Sequence, residues 1–129
     1  MREVSQNAFP EYDLTYKVIG SAMQVHRTLG PGLLEKVYEK ALCVELKTQG
    51  LQFQSQQHFK VIYKGTNVGD YFADSVVENK VILEVKAVKE ITALHQAQLL
   101  NYLKISRLSV GLIINFSAKS LEYKRLVIN

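Results

Sequence analysis

The sequence predicts a mixed α/β domain of the α+β type, a sheet containing both parallel and antiparallel strands with helices packed against it. Three observations carry this. The hydrophobic period changes along the chain from steps of three and four to alternation by two, and back again. One segment, Val81 to Val88, has apolar residues on both faces, as a central strand covered on each side requires. The resulting order is α-α-β-β-β-α-β-β, in which a three-stranded meander is followed by a helix and a further strand.

Residues 1–12 lack a period and are expected to form an N-terminal arm on a single domain spanning 1–129. In the first helix Leu14, Val18, Ala22, Val25 and Leu29 recur at helical steps, with Asp13 placed to cap it or to favour its positive dipole end. Gly30-Pro31-Gly32 ends that helix, because Pro31 disfavours a helical residue before it. A second helix is expected from about Leu33 to Gln49, stopped by Gly50.

The period then becomes two: Phe59, Val61 and Tyr63 alternate with Lys60, Ile62 and Lys64. Lys64-Gly65-Thr66-Asn67 reads as a turn and 68–77 as the next strand. Glu78-Asn79-Lys80 is a tight connection to the strand Val81–Val88. A helix over 92–106 opens with Thr92 as its cap, and its apolar residues cover nearly the whole circumference, which predicts a largely buried helix. Val110 to Phe116 is another buried strand, and Glu122 to Ile128 a last, more exposed one.

Composition excludes several classes. With 129 residues, 47% of them hydrophobic, one core can bury about two-thirds of the unfolded surface, so neither disulfides nor a structural metal is needed. The lone Cys43 excludes a disulfide framework and any multi-cysteine zinc site, and sets a reducing, cytoplasmic location as the expectation. The polar start and the lack of an apolar run near about 20 residues predict neither a signal peptide nor a membrane partner. The net charge of +4 is shared evenly, with eight basic and six acidic residues in each of 1–65 and 66–129. An anionic partner such as nucleic acid would therefore need a patch assembled by folding.

The informative residues are polar ones where the pattern asks for apolar ones. Glu84 and Lys86 share one face of a buried strand with Ile82 and Val88, and a buried ion costs several kcal/mol unless paired or metal-bound. A structural Glu-Lys pair would also account for them. A hairpin centred near Asn79 places Asp74 opposite Glu84 on the same face, and two adjacent carboxylates repel unless a divalent cation lies between them. Compensation by Lys86 alone, or an Asp74 belonging to the turn, are the alternatives. Glu35 lies roughly 20° on the helical wheel from Leu42 and Leu46, at the border of the apolar stripe. Gln98 and Tyr102 stack at i and i+4 on the later helix, with His95 a turn before. A hydrogen-bonded pair in the core explains them as well as a site does. Cys43 reads as packing, and His26 and His58 have no metal spacing.

Asp74, then Glu84-x-Lys86, then a helix resembles the PD-(D/E)XK nuclease superfamily, with its restriction-endonuclease-like αβββαβ core. Gln98-x-x-x-Tyr102 is similar to the Q-x-x-x-Y element of the RecB-type branch, and the helical Glu35 corresponds to the upstream acid. More narrowly, Gly32-Leu-Leu-Glu35-Lys-Val-Tyr38 resembles the signature of the small GxxExxY proteins, with further likeness in Tyr71-Phe-Ala-Asp74 and Glu84-Val-Lys86-Ala87. The likeness spans residues 14–128, and Ala73 stands where the superfamily's proline would be.

The resemblance implies a nuclease hydrolysing nucleic acid, DNA rather than RNA, with Mg²⁺ or Mn²⁺. Asp74, Glu84 and the carbonyl of Val85 would hold the metal, with Glu35 binding directly or through water. Lys86 would orient the attacking water, Gln98 would fix Lys86 or a phosphate, and Tyr102 would orient Gln98 or touch the nucleic acid. The alternative is a non-catalytic nucleic-acid-binding or assembly module on the same fold. Oligomeric state stays open, and a last strand that could stand exposed at the sheet edge is compatible with a homodimer.

Overall fold

A computed structural model describes residues 9–128, so the expected arm lies outside the described residues for positions 1–8. The elements are α1 (Tyr12–Leu29), α2 (Glu35–Thr48), β1 (Phe53–Tyr63), β2 (Thr66–Val77), β3 (Val81–Lys86), α3 (Ala93–Ser106), β4 (Val110–Asn115) and β5 (Glu122–Val127). They follow the predicted order. The five strands form one mixed sheet in sequence order, antiparallel throughout except for the parallel β3–β4 pair that α3 connects.

The sheet divides two cores, and the pattern of β3 shows why. Val81, Leu83 and Val85 enter the cluster formed with α1 and α2, whereas Ile82 enters the one beneath α3. Val18, Ala22, Tyr38, Leu42 and Leu46 fill the first cluster, and Leu99 and Leu103 the second. Both faces of the central strands are covered, as two-sided apolar patterning demands.

Some boundaries and burials differ from expectation. β1 begins at Phe53, because the polar run before Phe59 pairs along the edge strand. β2 begins at Thr66, since Lys64 (φ 49°) and Gly65 (φ 80°) alone make the two-residue turn. β3 stops at Lys86. Asp13 lies in the first turn of α1 but no side chain caps that helix. Thr92 does cap α3, in a reciprocal box with His95. The largely buried α3 is a correction: of its residues only Leu99 and Leu103 are buried, and Leu94 is 65% exposed. A helix apolar nearly all round is here laid on one side of the sheet, and among the described residues no element covers it.

Candidate active site

The site is built at the fork where β2 and β3 separate. Their ladder runs Val77–Val81, Val76–Ile82 and Ser75–Leu83 and ends there. The register is the one expected from a hairpin centred at Asn79, but Asp74 and Glu84 do not continue it. Instead Oδ2 of Asp74 accepts a 2.7 Å hydrogen bond from the Val85 amide. A side chain has replaced the backbone in closing the pair.

Asp74 also sits where β2 changes face. Tyr71 and Ala73 belong to the α3-side core, whereas Ser75 meets Cys43 of α2 at 3.8 Å and Val77 joins the core under α1 and α2. Strict alternation would put Ala73, Ser75 and Val77 together, so the pattern shifts at Asp74. Across from it, Gln56 adopts a left-handed φ of 53° in the middle of β1, and the β1–β2 ladder omits the Gln56–Asp74 pair. Such a distortion is costly for a non-glycine residue and serves to redirect a side chain. Gln56 is held there by a 2.5 Å hydrogen bond from its Nε2 to Oε2 of Glu39.

Glu84 extends from β3 on the face of Ile82. Its Oε2 accepts a 2.6 Å hydrogen bond from the Tyr71 hydroxyl. Burial, followed by the charge of Asp74, pushes its carboxyl up to about 7, against the opposing influence of Tyr71, Lys86 and the Asp74 amide. Burial likewise raises Asp74, assisted by the charges of Glu39 and Glu35 and opposed by the Val85 hydrogen bond and Lys86. Lys86 influences both acids but, among the described residues, makes no ion pair with either. A structural Glu84–Lys86 salt bridge is therefore not what fills this strand end.

Glu35 opens α2 and reaches the same region, its Oε2 accepting from the Ala87 amide at 3.2 Å. The surrounding Gly-x-x-Glu-x-x-Tyr pattern has a local explanation. Gly32 takes φ 108° in the connection between α1 and α2. Tyr38 is fully buried, its ring stacked on Phe116 at 4.7 Å, its hydroxyl donating to the Gly30 carbonyl at 2.5 Å and accepting from the Leu33 amide at 3.0 Å. The tyrosine thus clamps the connection that sets where Glu35 begins the helix.

Gln98 and Tyr102 lie on α3, and of the two readings open to them the hydrogen-bonded core pair is not formed. Among the described residues Gln98 makes no side-chain hydrogen bond, while the Tyr102 ring stacks on Tyr71 at 3.8 Å and 12°. Three participants were missed in the sequence. Glu39, 7% exposed and bonded to Gln56, adjoins Asp74 electrostatically; its place three and seven residues before Leu42 and Leu46, on the apolar stripe of α2, was the available signal. Tyr71 reads as an ordinary apolar strand residue. Asn115, fully buried, accepts from Val88 and Ser117 amides and donates to the Val88 carbonyl and Glu122, fixing the segment after Lys86. An asparagine in the run Val-Gly-Leu-Ile-Ile-Asn was its available signal.

The profile of the PD-(D/E)XK nuclease superfamily matches residues 12–126. The chain belongs to the PD-(D/E)XK nuclease superfamily. The fold agrees: the crystal structure of SSO0001 superposes with a TM-score of 0.59 at 16% identity, over 88% of this chain and 60% of that one. The chain thus spans less than two-thirds of that neighbour's length. No curated protein matches it.

PD-(D/E)XK nucleases generally use divalent metals, and the donor chemistry here suits one: clustered carboxylates with raised proton affinity and hard oxygen donors. The described residues contain no ready-made group of three metal-ligating side chains. A cation at this fork would accordingly keep water in several positions, as magnesium-like ions ordinarily do.

Proposed function

We propose that this chain is a metal-dependent phosphodiester hydrolase acting on nucleic acid, DNA rather than RNA, grouped with the small GxxExxY proteins and the RecB-type branch. The observation that carries the reading is the fork itself: two half-buried carboxylates, Asp74 and Glu84, beside a lysine that among the described residues pairs with neither. Asp74, Glu84 and the Val85 carbonyl would hold Mg²⁺ or Mn²⁺, with Glu35 binding directly or through water. A bound cation supplies Lewis-acid polarisation of a phosphoryl oxygen and acidifies its water.

The protein's own groups provide the rest. Lys86 would orient the attacking water and offset charge developing on the phosphate. Gln98, with an amide free of protein partners among the described residues, would contact a phosphate rather than Lys86. Tyr102 would contribute through its packed ring. A cytoplasmic setting is inferred from the free Cys43, and a homodimer from the outer edge of β5, which among the described residues pairs with β4 alone.

Cleavage of single-stranded, double-stranded and branched DNA and RNA, with Mg²⁺ and Mn²⁺, tests the reading. Lys86→Ala should lower the rate by at least about 10²-fold with fold and metal affinity retained. Full activity in that variant overturns the assignment. The alternative, a non-catalytic nucleic-acid-binding or assembly module, is favoured by the lack of a preformed three-ligand group among the described residues. Calorimetry showing no binding of either cation would select it.

A further inference from the structure

Tyr71 connects the two halves of the site. Its ring is buried between Tyr102 of α3, at 3.8 Å and 12°, and Phe59 of β1, at 5.8 Å and 19°. Its hydroxyl donates a 2.6 Å hydrogen bond to Oε2 of Glu84. Among the described residues, neither the Tyr102 hydroxyl nor the Gln98 side-chain amide makes any hydrogen bond. The polar contact reaching Glu84 from this side thus comes from β2, not from the Gln-x-x-x-Tyr element of α3.

We propose that Tyr71 is the positioning residue for Glu84 and that Tyr102 acts by holding the Tyr71 ring. This rests on the reading of Glu84 as a metal ligand. A glutamate has three side-chain torsions to restrict, and a ring stacked on both sides offers its hydroxyl from a nearly fixed point. Hydrogen-bonding one carboxylate oxygen in this way orders the ligand before the cation arrives, the function that outer-sphere partners serve at metal sites. Tyr102 contributes its aromatic face, and its own hydroxyl is dispensable for cation binding.

Calorimetric titration of Mn²⁺ into wild type, Tyr71→Phe, Tyr102→Phe and Tyr102→Leu tests this without reference to turnover. Tyr71→Phe keeps the stacked ring and removes one oxygen; it should bind Mn²⁺ about tenfold more weakly, with its unfolding midpoint close to wild type. Tyr102→Phe should stay within about twofold of wild type, and Tyr102→Leu, which loosens the stack, should fall between the two. Equal affinity in Tyr71→Phe and wild type overturns the inference and leaves the metal site standing. A loss in Tyr102→Phe as large as in Tyr71→Phe also overturns it, by placing the Tyr102 hydroxyl at the site. If Tyr71→Phe does not fold, wild-type affinity in Tyr102→Leu is the overturning result. Absence of Mn²⁺ binding by wild type defeats both this inference and the function on which it rests.

Discussion

Burial and the charge of Asp74 act on Glu84 in the same direction, raising its carboxyl from 4.5 to about 7. The sign of the resulting pH dependence is the reverse of that for a salt-bridged acid. The folded state binds the proton more tightly than the unfolded chain, so this contribution is complete below 4.5 and is lost as pH rises through about 7. It amounts to at most ~3 kcal/mol, and the raised Asp74 acts in the same sense. Urea unfolding of EDTA-treated protein should therefore show greater stability at pH 5 than at pH 8, and Glu84→Gln should flatten the difference. A wild-type protein more stable at pH 8 contradicts this account. Asn115 makes a second residue-scale case. Asn115→Leu should destabilise by about 2 kcal/mol, because it strands the half-buried Val88 amide and carbonyl. Glu84 and Lys86 were legible because charge on a two-sided apolar strand violates a strong pattern, and Asp74 because the hairpin register sets it across from Glu84. Tyr71 was not, since a tyrosine in a strand violates nothing until its neighbours are known, and Glu39 showed only as a carboxylate on the apolar stripe of α2.

At the scale of elements, α3 depends on one close approach. A Cβ at Gly111 of β4 would lie 2.9 Å from both Leu99 methyl carbons and 3.1 Å from Cγ, so the buried Leu99 side chain must shift to admit it. Gly111→Ala should cost about 1–3 kcal/mol, measured by urea unfolding, by lifting the helix that carries Gln98 and Tyr102 from the sheet. The helices and strands were readable because their periods differ, and Thr92 marked the start of α3 through its capping chemistry. The reversal of faces at Asp74 was not readable. It depends on Gln56 entering a left-handed conformation under the hold of Glu39, a contact 17 residues apart. For the same reason α3 was misjudged: an apolar circumference says what could be covered, while the supply of covering elements is a property of the whole fold.

For the molecule as a whole, the proposed cation binding would be linked to folding, because the fork exists only when β2, β3 and α2 are assembled. At about 100 times its dissociation constant, Mn²⁺ should add ~2.7 kcal/mol to stability, a gain removed by EDTA and absent in Asp74→Ala. An unchanged melting temperature across that titration contradicts a cation site at the fork.

By itself the sequence determined the succession of elements, the two-sided burial of β3 and the hairpin register that brings Asp74 to the level of Glu84. These follow from local periods and short connections, in which each residue constrains its near neighbours. Tertiary structure alone decided which groups satisfy the acids: the Val85 amide for Asp74, the Ala87 amide for Glu35 and the Tyr71 hydroxyl for Glu84. Hydrogen bonds have a range of one atomic contact, and 52 residues separate Glu35 from Ala87. Only the docking of α2 against the end of β3 could bring those two together.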